Sequence, residues 1–185
     1  RGDLDTADVA IMEGGDGERQ GELYDELKEV PGGLAKLDEN LEIQSGTKAS
    51  DMIGDVDPEK RDAMKADLDA AHTEAKEKLD ATLEAARKKF KDSAKPGEYE
   101  AKCAEMLKKA SALNASLLSK GVGNDFETTD LLRGLKPEEA AILKVQFKEG
   151  GYGDLDALVD SRLEGKDRKA AKAALTGNKV NTALA

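Results

Sequence analysis

The chain has 185 residues, 37% of them charged and 3% aromatic, with no Trp. That is room for one domain with a core or two small ones, and the balance suits long solvated helices better than a β-sandwich. Asp and Glu number 39 against 29 Lys and Arg, a net charge of -10, which argues against nucleic acid as a partner because phosphates need clustered bases, leaves cations and protein partners open, and admits an anionic membrane only through a bridging divalent cation.

Residues 5–29 read as helical with a break at Glu13–Glu18, "EGGDGE", and apolar positions at Val9, Met12, Leu23 and Leu27. "VPGG" at 30–33 stops the helix. Residues 31–56 show weak periodicity with scattered Gly and Ser, and read as a linker with a short helix. The opening "RGDLDTADVA" has no signal-peptide pattern and reads as a piece of a longer chain. No apolar run approaches the ~20 residues of a membrane-spanning helix.

Asp57-Pro58-Glu59 is a strong helix start: Asp accepts orphan N–H bonds, Pro suits the first helical position and Glu favours the positive end of the dipole. Apolar residues then recur at Met64, Leu68, Ala71, Ala75, Leu79, Leu83, Ala86 and Phe90, the seam of a long amphipathic helix over 58–92, about 50 Å in length. Pro96-Gly97 breaks it. A second helix carries Tyr99, Cys103, Met106, Ala110, Leu113 and Leu117 on one face. A short Pro-Gly loop favours antiparallel helices, so 57–119 is predicted as one long helical hairpin with a frayed, mobile tip near 88–98. Cys103, the single cysteine, excludes an intramolecular disulfide and reads as a small buried hydrophobe.

Four short helices are predicted beyond "KGVGND": 125–133, ended by Gly134; Pro137 to Lys148, ended by Gly150-Gly151; one within "GDLDALVDSRLEG"; and one within "DRKAAKAALTG". Asn124 with Glu127 fits a capping box. Helices of about ten residues are marginal alone and must share a core. The faces available are Leu131, Leu132 and Leu135; Ile142, Leu143 and Phe147; Leu155, Leu158 and Leu163; Ala171, Ala174 and Leu175. Phe147 is the largest and is expected at the centre. The predicted fold is all-α: a long antiparallel hairpin followed by a short-helix bundle.

The loop "SKGVGND" admits three readings: a metal site, a phosphate cradle, or a plain turn between helices. It lacks G-x-x-x-x-G-K-[ST] and follows a helix pattern rather than a strand, which excludes a P-loop. The one histidine, His72, lies mid-helix; Leu68 and Lys76, four residues away, cannot join it as ligands, and Asp69 offers a surface pair. One His and one Cys exclude a Cys/His zinc site and leave no nucleophile–base pair. Asp154, Asp156 and Asp160 read as a solvated helix face rather than an acid/base pair. No catalytic constellation stands out, so the chain is expected to be non-enzymatic.

Between 113 and 177 the residues resemble annexin repeats. "LNASLLSKGVGND" is similar to the junction where a helix runs into K-G-x-G-T-D, and "VQFKEGGYGDLDALVDSRLEG" to the middle of a repeat, with an aromatic, Y-G-x-D-L and then L-x-G. Tyr152-Gly153-Asp154-Leu155 is one residue shorter than that pattern. The anchors are Lys120, Gly121, Gly123, Asp125, Phe147, Tyr152, Gly153, Leu155, Leu163 and Gly165. "GDLDTADVAIMEG", Gly2 to Gly14, also matches Gly153 to Gly165 without gaps, and an alternative register pairs "ADVAIMEGG" with "AKAALTGN". The resemblance therefore implies that 1–30 ends one repeat, that 120–185 forms another, and that 57–119 is an elongated insert.

Annexin-like repeats of this acidic, Ala-rich style occur in large bacterial proteins, some associated with injection machineries. The resemblance implies a helical structural or interaction module from such a protein, secreted or injected with it, that binds a protein partner. In annexins the glycine loop gives backbone carbonyls to Ca²⁺ and a carboxylate one position before L-x-G completes the site. Here Gly121, Val122 and Gly123 match the loop, but the carboxylate position is Arg162, which has no lone pair to give. Asp160 and Glu164 are the nearest carboxylates in sequence. The loop is thus expected to be a helix-to-helix turn and no cofactor is expected, the alternative being a weak Ca²⁺ site. The alternative function is a calcium-dependent phospholipid-binding module.

Overall fold

The computed structural model describes residues 6–119 and 124–177, the side chains of residues 6 and 124–126 excepted. The described residues form nine α-helices and no strand: α1 Thr6–Gly14, α2 Gly17–Leu27, α3 Gly33–Ser45, α4 Pro58–Ser93, α5 Glu98–Leu118, α6 Asn124–Leu132, α7 Pro137–Glu149, α8 Leu155–Arg162 and α9 Gly165–Ala174, with a single 3-10 turn at Ala49–Asp51. The all-α expectation holds. Contacts divide the chain into two compact units, one up to Lys78 and one from Leu79 on.

In the first unit the predicted break at 13–18 separates α1 from α2. Gly15 turns the chain in the left-handed region (φ 72), and Asp16 caps α2 by accepting from the backbone N–H groups of Glu18 (3.1 Å) and Arg19 (3.3 Å). The core joins Val9 and Met12 of α1, Leu23, Tyr24 and Leu27 of α2, Leu37 and Leu41 of α3, Ala49, Ile53 and Val56, and Met64 and Leu68 of α4. Gln20 is fully buried, and its amide nitrogen donates to the Met12 carbonyl (2.8 Å) and the Met52 carbonyl (3.0 Å). That one side chain ties the end of α1 to the segment after the 3-10 turn. Lys60 pairs with Asp25, and the Tyr24 hydroxyl donates to Asp67, so α2 is also fastened to the start of α4.

Residues 31–56, expected as a linker, instead supply five buried apolar residues to this core: Leu37, Leu41, Ala49, Ile53 and Val56. Their spacing is irregular because a helix, a 3-10 turn and a loop share the segment. The start of α4 agrees with expectation, with Asp57 accepting from the Glu59 N–H at 3.2 Å.

The long hairpin is corrected in one respect. Met64 and Leu68 pack into the first core, whereas Leu79, Leu83 and Phe90, further along α4, join the second core, which also holds Tyr99, Cys103 and Met106 of α5. Helix lengths explain this: 36 residues in α4 reach about 54 Å, whereas the 21 of α5 reach about 31 Å and cannot cover them all. The tip, expected to fray, is closed by an aromatic clasp. The Phe90 and Tyr99 ring centroids lie 6.2 Å apart, Lys91 stands 5.3 Å over the Tyr99 ring, and Arg87 donates to the Tyr99 hydroxyl at 2.6 Å.

The second unit is built on α5, which packs on α6, α7 and α8, while α9 closes against α6 and α8. Phe147 has no exposed surface and lies with Met106, Leu113, Leu132, Leu143, Val159 and Leu175 in one core. Polar ties run between the helices. Ser116 and Thr128 hydroxyls, both buried, are 2.6 Å apart; Lys102 reaches Glu139 at 3.1 Å; Lys144 reaches Asp156 at 3.4 Å.

Glu139 does two jobs: it accepts from the Lys136 N–H (3.0 Å) at the start of α7 and from Lys102 of α5 (3.1 Å). Burial alone would push its carboxyl up, but these two donors outweigh it and hold it below the ordinary glutamate range. A depressed folded pKa gives stability that is present above the unfolded pKa and lost as pH falls through the folded one. Acid titration of unfolding should therefore show stability falling as the pH drops through and below the ordinary glutamate range, with a shallower fall in Glu139→Gln. Equal slopes in the two proteins would mean that Glu139 carries none of the acid sensitivity.

Candidate functional site

The sequence-predicted calcium residues are not assembled into a site by what is described. Gly121, Val122 and Gly123 lie outside the described residues. Asp160, on α8, is already engaged: its Oδ1 is 2.6 Å from Lys172 Nζ of α9. Arg162 is the last residue of α8 and is exposed. Glu164 is the exposed N-cap residue of α9, and its carbonyl accepts from the Arg168 N–H at 3.3 Å. The Asn124–Glu127 capping box also rests on a side chain outside the description. Asp154 caps α8 through the Ala157 N–H (2.9 Å), and with Asp156 held by Lys144, the three aspartates of that stretch serve helix ends and helix joints.

His72 departs from its expected setting. Its Nδ1 lies 2.6 Å from Asp38 Oδ2 and 3.8 Å from Glu42 Oε1, both on α3. Asp38 is 1% exposed, and its other oxygen accepts from the Ala49 N–H at 2.9 Å. One carboxylate thus fixes the 3-10 turn to α3 and meets the imidazole. Asp38 and Glu42 are four residues apart, hence neighbours on one helix face. The expectation of a surface pair with Asp69 considered only neighbours on His72's own helix. The readable signal was an i, i+4 carboxylate pair flanking Leu37 and Leu41.

Two groups elsewhere whose titration is shifted have structural partners. The Tyr24 phenol is pushed up to about 12, first by its hydrogen bond to Asp67 and then by burial. Glu84 is lowered by the hydrogen bond from Arg87, whose guanidinium also reaches Tyr99.

One surface stands out on α5. Its inner face is buried through Met106, Ala110, Leu113 and Leu117. Its outer face carries a row of apolar and small residues: Ala104, Leu107, Ser111, Ala115 and Leu118 are exposed, at steps of 3, 4, 4 and 3, with Leu107 42% and Leu118 46% exposed. Such spacing lines one side of a helix over about 21 Å. The row is self-complementary. Two copies laid antiparallel about Ser111 place each Leu107 over Ala115 and each Leu118 over Ala104, large over small. The two Ser111 hydroxyls then meet on the two-fold axis, where each can donate to or accept from the other. Among known proteins, the chain matches no protein-family model, no curated protein and no solved structure.

Proposed function

We propose that the chain is a non-enzymatic helical structural and interaction module, annexin-like in its last third, from a larger bacterial protein, and that it associates with a second copy of itself through the outer face of α5. The observation that carries this is the self-complementary outer row of α5. A surface helix normally shows one apolar stripe; here Leu107 and Leu118 stay in water while the opposite face is fully used. Ser111 and Ala115, the small residues between them, let a second helix backbone approach closely. The antiparallel register is isologous, as a two-fold dimer requires.

The annexin-like reading is supported by the segment that carries the resemblance: Phe147, Leu155 and Leu163 are buried and the Tyr152 ring packs at a tilt 5.3 Å from that of Phe147. Left-handed glycines also follow both α1 and α9, Gly15 and Gly177, each with φ 72. The calcium-dependent membrane reading has less behind it, because Asp160 is spent on Lys172 and Arg162 stands at the carboxylate position.

A contact this short falls below the area of standard stable interfaces, and its centre is a polar serine pair, so the dimer is weak. Each chain also carries a charge of -10, so added salt should strengthen the pairing by screening repulsion. Sedimentation velocity from about 10 μM to about 1 mM should show the mass rising from 19.7 kDa towards twice that value. Leu107→Glu/Leu118→Glu should stay monomeric with unchanged helix content. A wild-type chain that remains monomeric throughout, or a double variant that pairs as well, would refute the proposal.

A further inference from the structure

The geometry points to a divalent transition-metal site, of the kind that takes Zn²⁺, formed by Asp38, Glu42 and His72 in the first unit. Three donor atoms of different side chains, His72 Nδ1, a carboxylate oxygen of Asp38 and one of Glu42, all lie within 4.8 Å of one another. Zn²⁺ bonds nitrogen and oxygen at about 2.0–2.2 Å, which sets neighbouring donors roughly 3.4 Å apart in a tetrahedron. The observed separations from Nδ1, 2.6 Å to Asp38 and 3.8 Å to Glu42, bracket that value, so shifts below about 1 Å would seat an ion.

The supporting parts are in place. The Ala49 N–H holds one Asp38 oxygen and aims the other at the imidazole, as second-layer hydrogen bonds do for metal-ligating groups. Asp38 and Glu42 are spaced by one turn of α3, and His72 comes from α4, so the ion would clamp two helices that are already packed in one core. The His72 and Glu42 side chains are partly exposed, which leaves an entry path. Two carboxylates and a neutral imidazole balance a 2+ charge. The nitrogen donor selects Zn²⁺ over Ca²⁺ or Mg²⁺, which take oxygen ligands. None of this uses the Gly121–Gly123 loop or the α5 face, so it stands or falls apart from the proposed function.

The chain has one histidine, so its ring signals in an NMR spectrum report on this site alone. Chelator-treated protein titrated with Zn²⁺ should take up one equivalent in calorimetry, and the His72 ring signals should move over the same range. Binding should weaken at least tenfold in Glu42→Gln and vanish in His72→Gln, and the thermal midpoint of the wild type alone should rise with Zn²⁺. Ca²⁺ at about 1 mM should leave the ring signals unmoved. If Zn²⁺ binds while the ring signals stay fixed, the ion sits on the acidic surface and the site is refuted. Absence of saturable binding would refute it equally, leaving His72–Asp38 as a structural hydrogen bond.

Discussion

Phe147→Ala should cost about 3–5 kcal/mol of stability, the usual range for removing a large aromatic from a closed core. Phe147 is 0% exposed, and its ring meets Tyr152 at 5.3 Å and 56°. It sits between α5 and the short helices α6 to α9, which are marginal alone. α7 is anchored at its start by Glu139 and at its end by the turn through Gly150 and Gly151, so it has little freedom to slide into the space left behind. The loss approaches the whole stability of a small unit. Thermal unfolding followed by circular dichroism should show a midpoint lower by at least about 10 °C. An unchanged midpoint would mean that Phe147 is not central and that the bundle is packed otherwise.

Gly17→Ala should be the most damaging of the small changes in the first unit. A Cβ built on Gly17 would lie 2.0 Å from the Asp55 carbonyl oxygen, 2.5 Å from its carbon and 2.8 Å from Val56 N. Those atoms are backbone and cannot swing away like the end of a flexible side chain. The segment is pinned on both sides, by the Gln20 amide on the Met52 carbonyl and by the burial of Ile53 and Val56. Relief therefore means prising the loop off the core, at about 1–3 kcal/mol or more. Gly14→Ala is the natural control, since nothing lies within 4 Å of its Cβ position. There, near the end of α1, alanine should be neutral or stabilising by about 0.5–1 kcal/mol. Chemical denaturation of the two variants should separate them clearly. Equal midpoints would contradict the close approach of α2 to residues 55–56.

These two positions show which parts of the molecule were legible in its sequence. Phe147 was readable because apolar spacing, glycine stops and helix length all act locally. The same local signals marked the break at 13–18, the cap at Asp57 and the turn at Pro96-Gly97. Gly17 looked like one more turn glycine; its role depends on a backbone segment nearly forty residues later. The partner of His72 was missed for the same reason, since Asp38 and Glu42 lie on another helix. Residues 31–56 were read as a linker because Leu37, Leu41, Ala49, Ile53 and Val56 follow no single period, although tertiary packing buries every one. The division of the α4 seam between two cores was partly readable: a helix of 36 residues cannot be covered by one of 21. The outer row of α5 was harder to see. Ser111 interrupts its apolar pattern at the centre, two of its other members are alanines, and the larger residues lie on the inner face.

A covalent trap on α5 tests the self-pairing most directly. In a Cys103→Ser background, Ser111→Cys replaces a hydroxyl with a thiol at the centre of the antiparallel register, facing its own copy. Ala104→Cys places one opposite Leu118 of the second copy, far from its equivalent. Mild oxidation should then link Ser111→Cys chains into dimers, leave Ala104→Cys chains single, and link the Ala104→Cys/Leu118→Cys double variant. Linking of Ser111→Cys and Ala104→Cys to the same extent, or of neither, would contradict antiparallel pairing through this face.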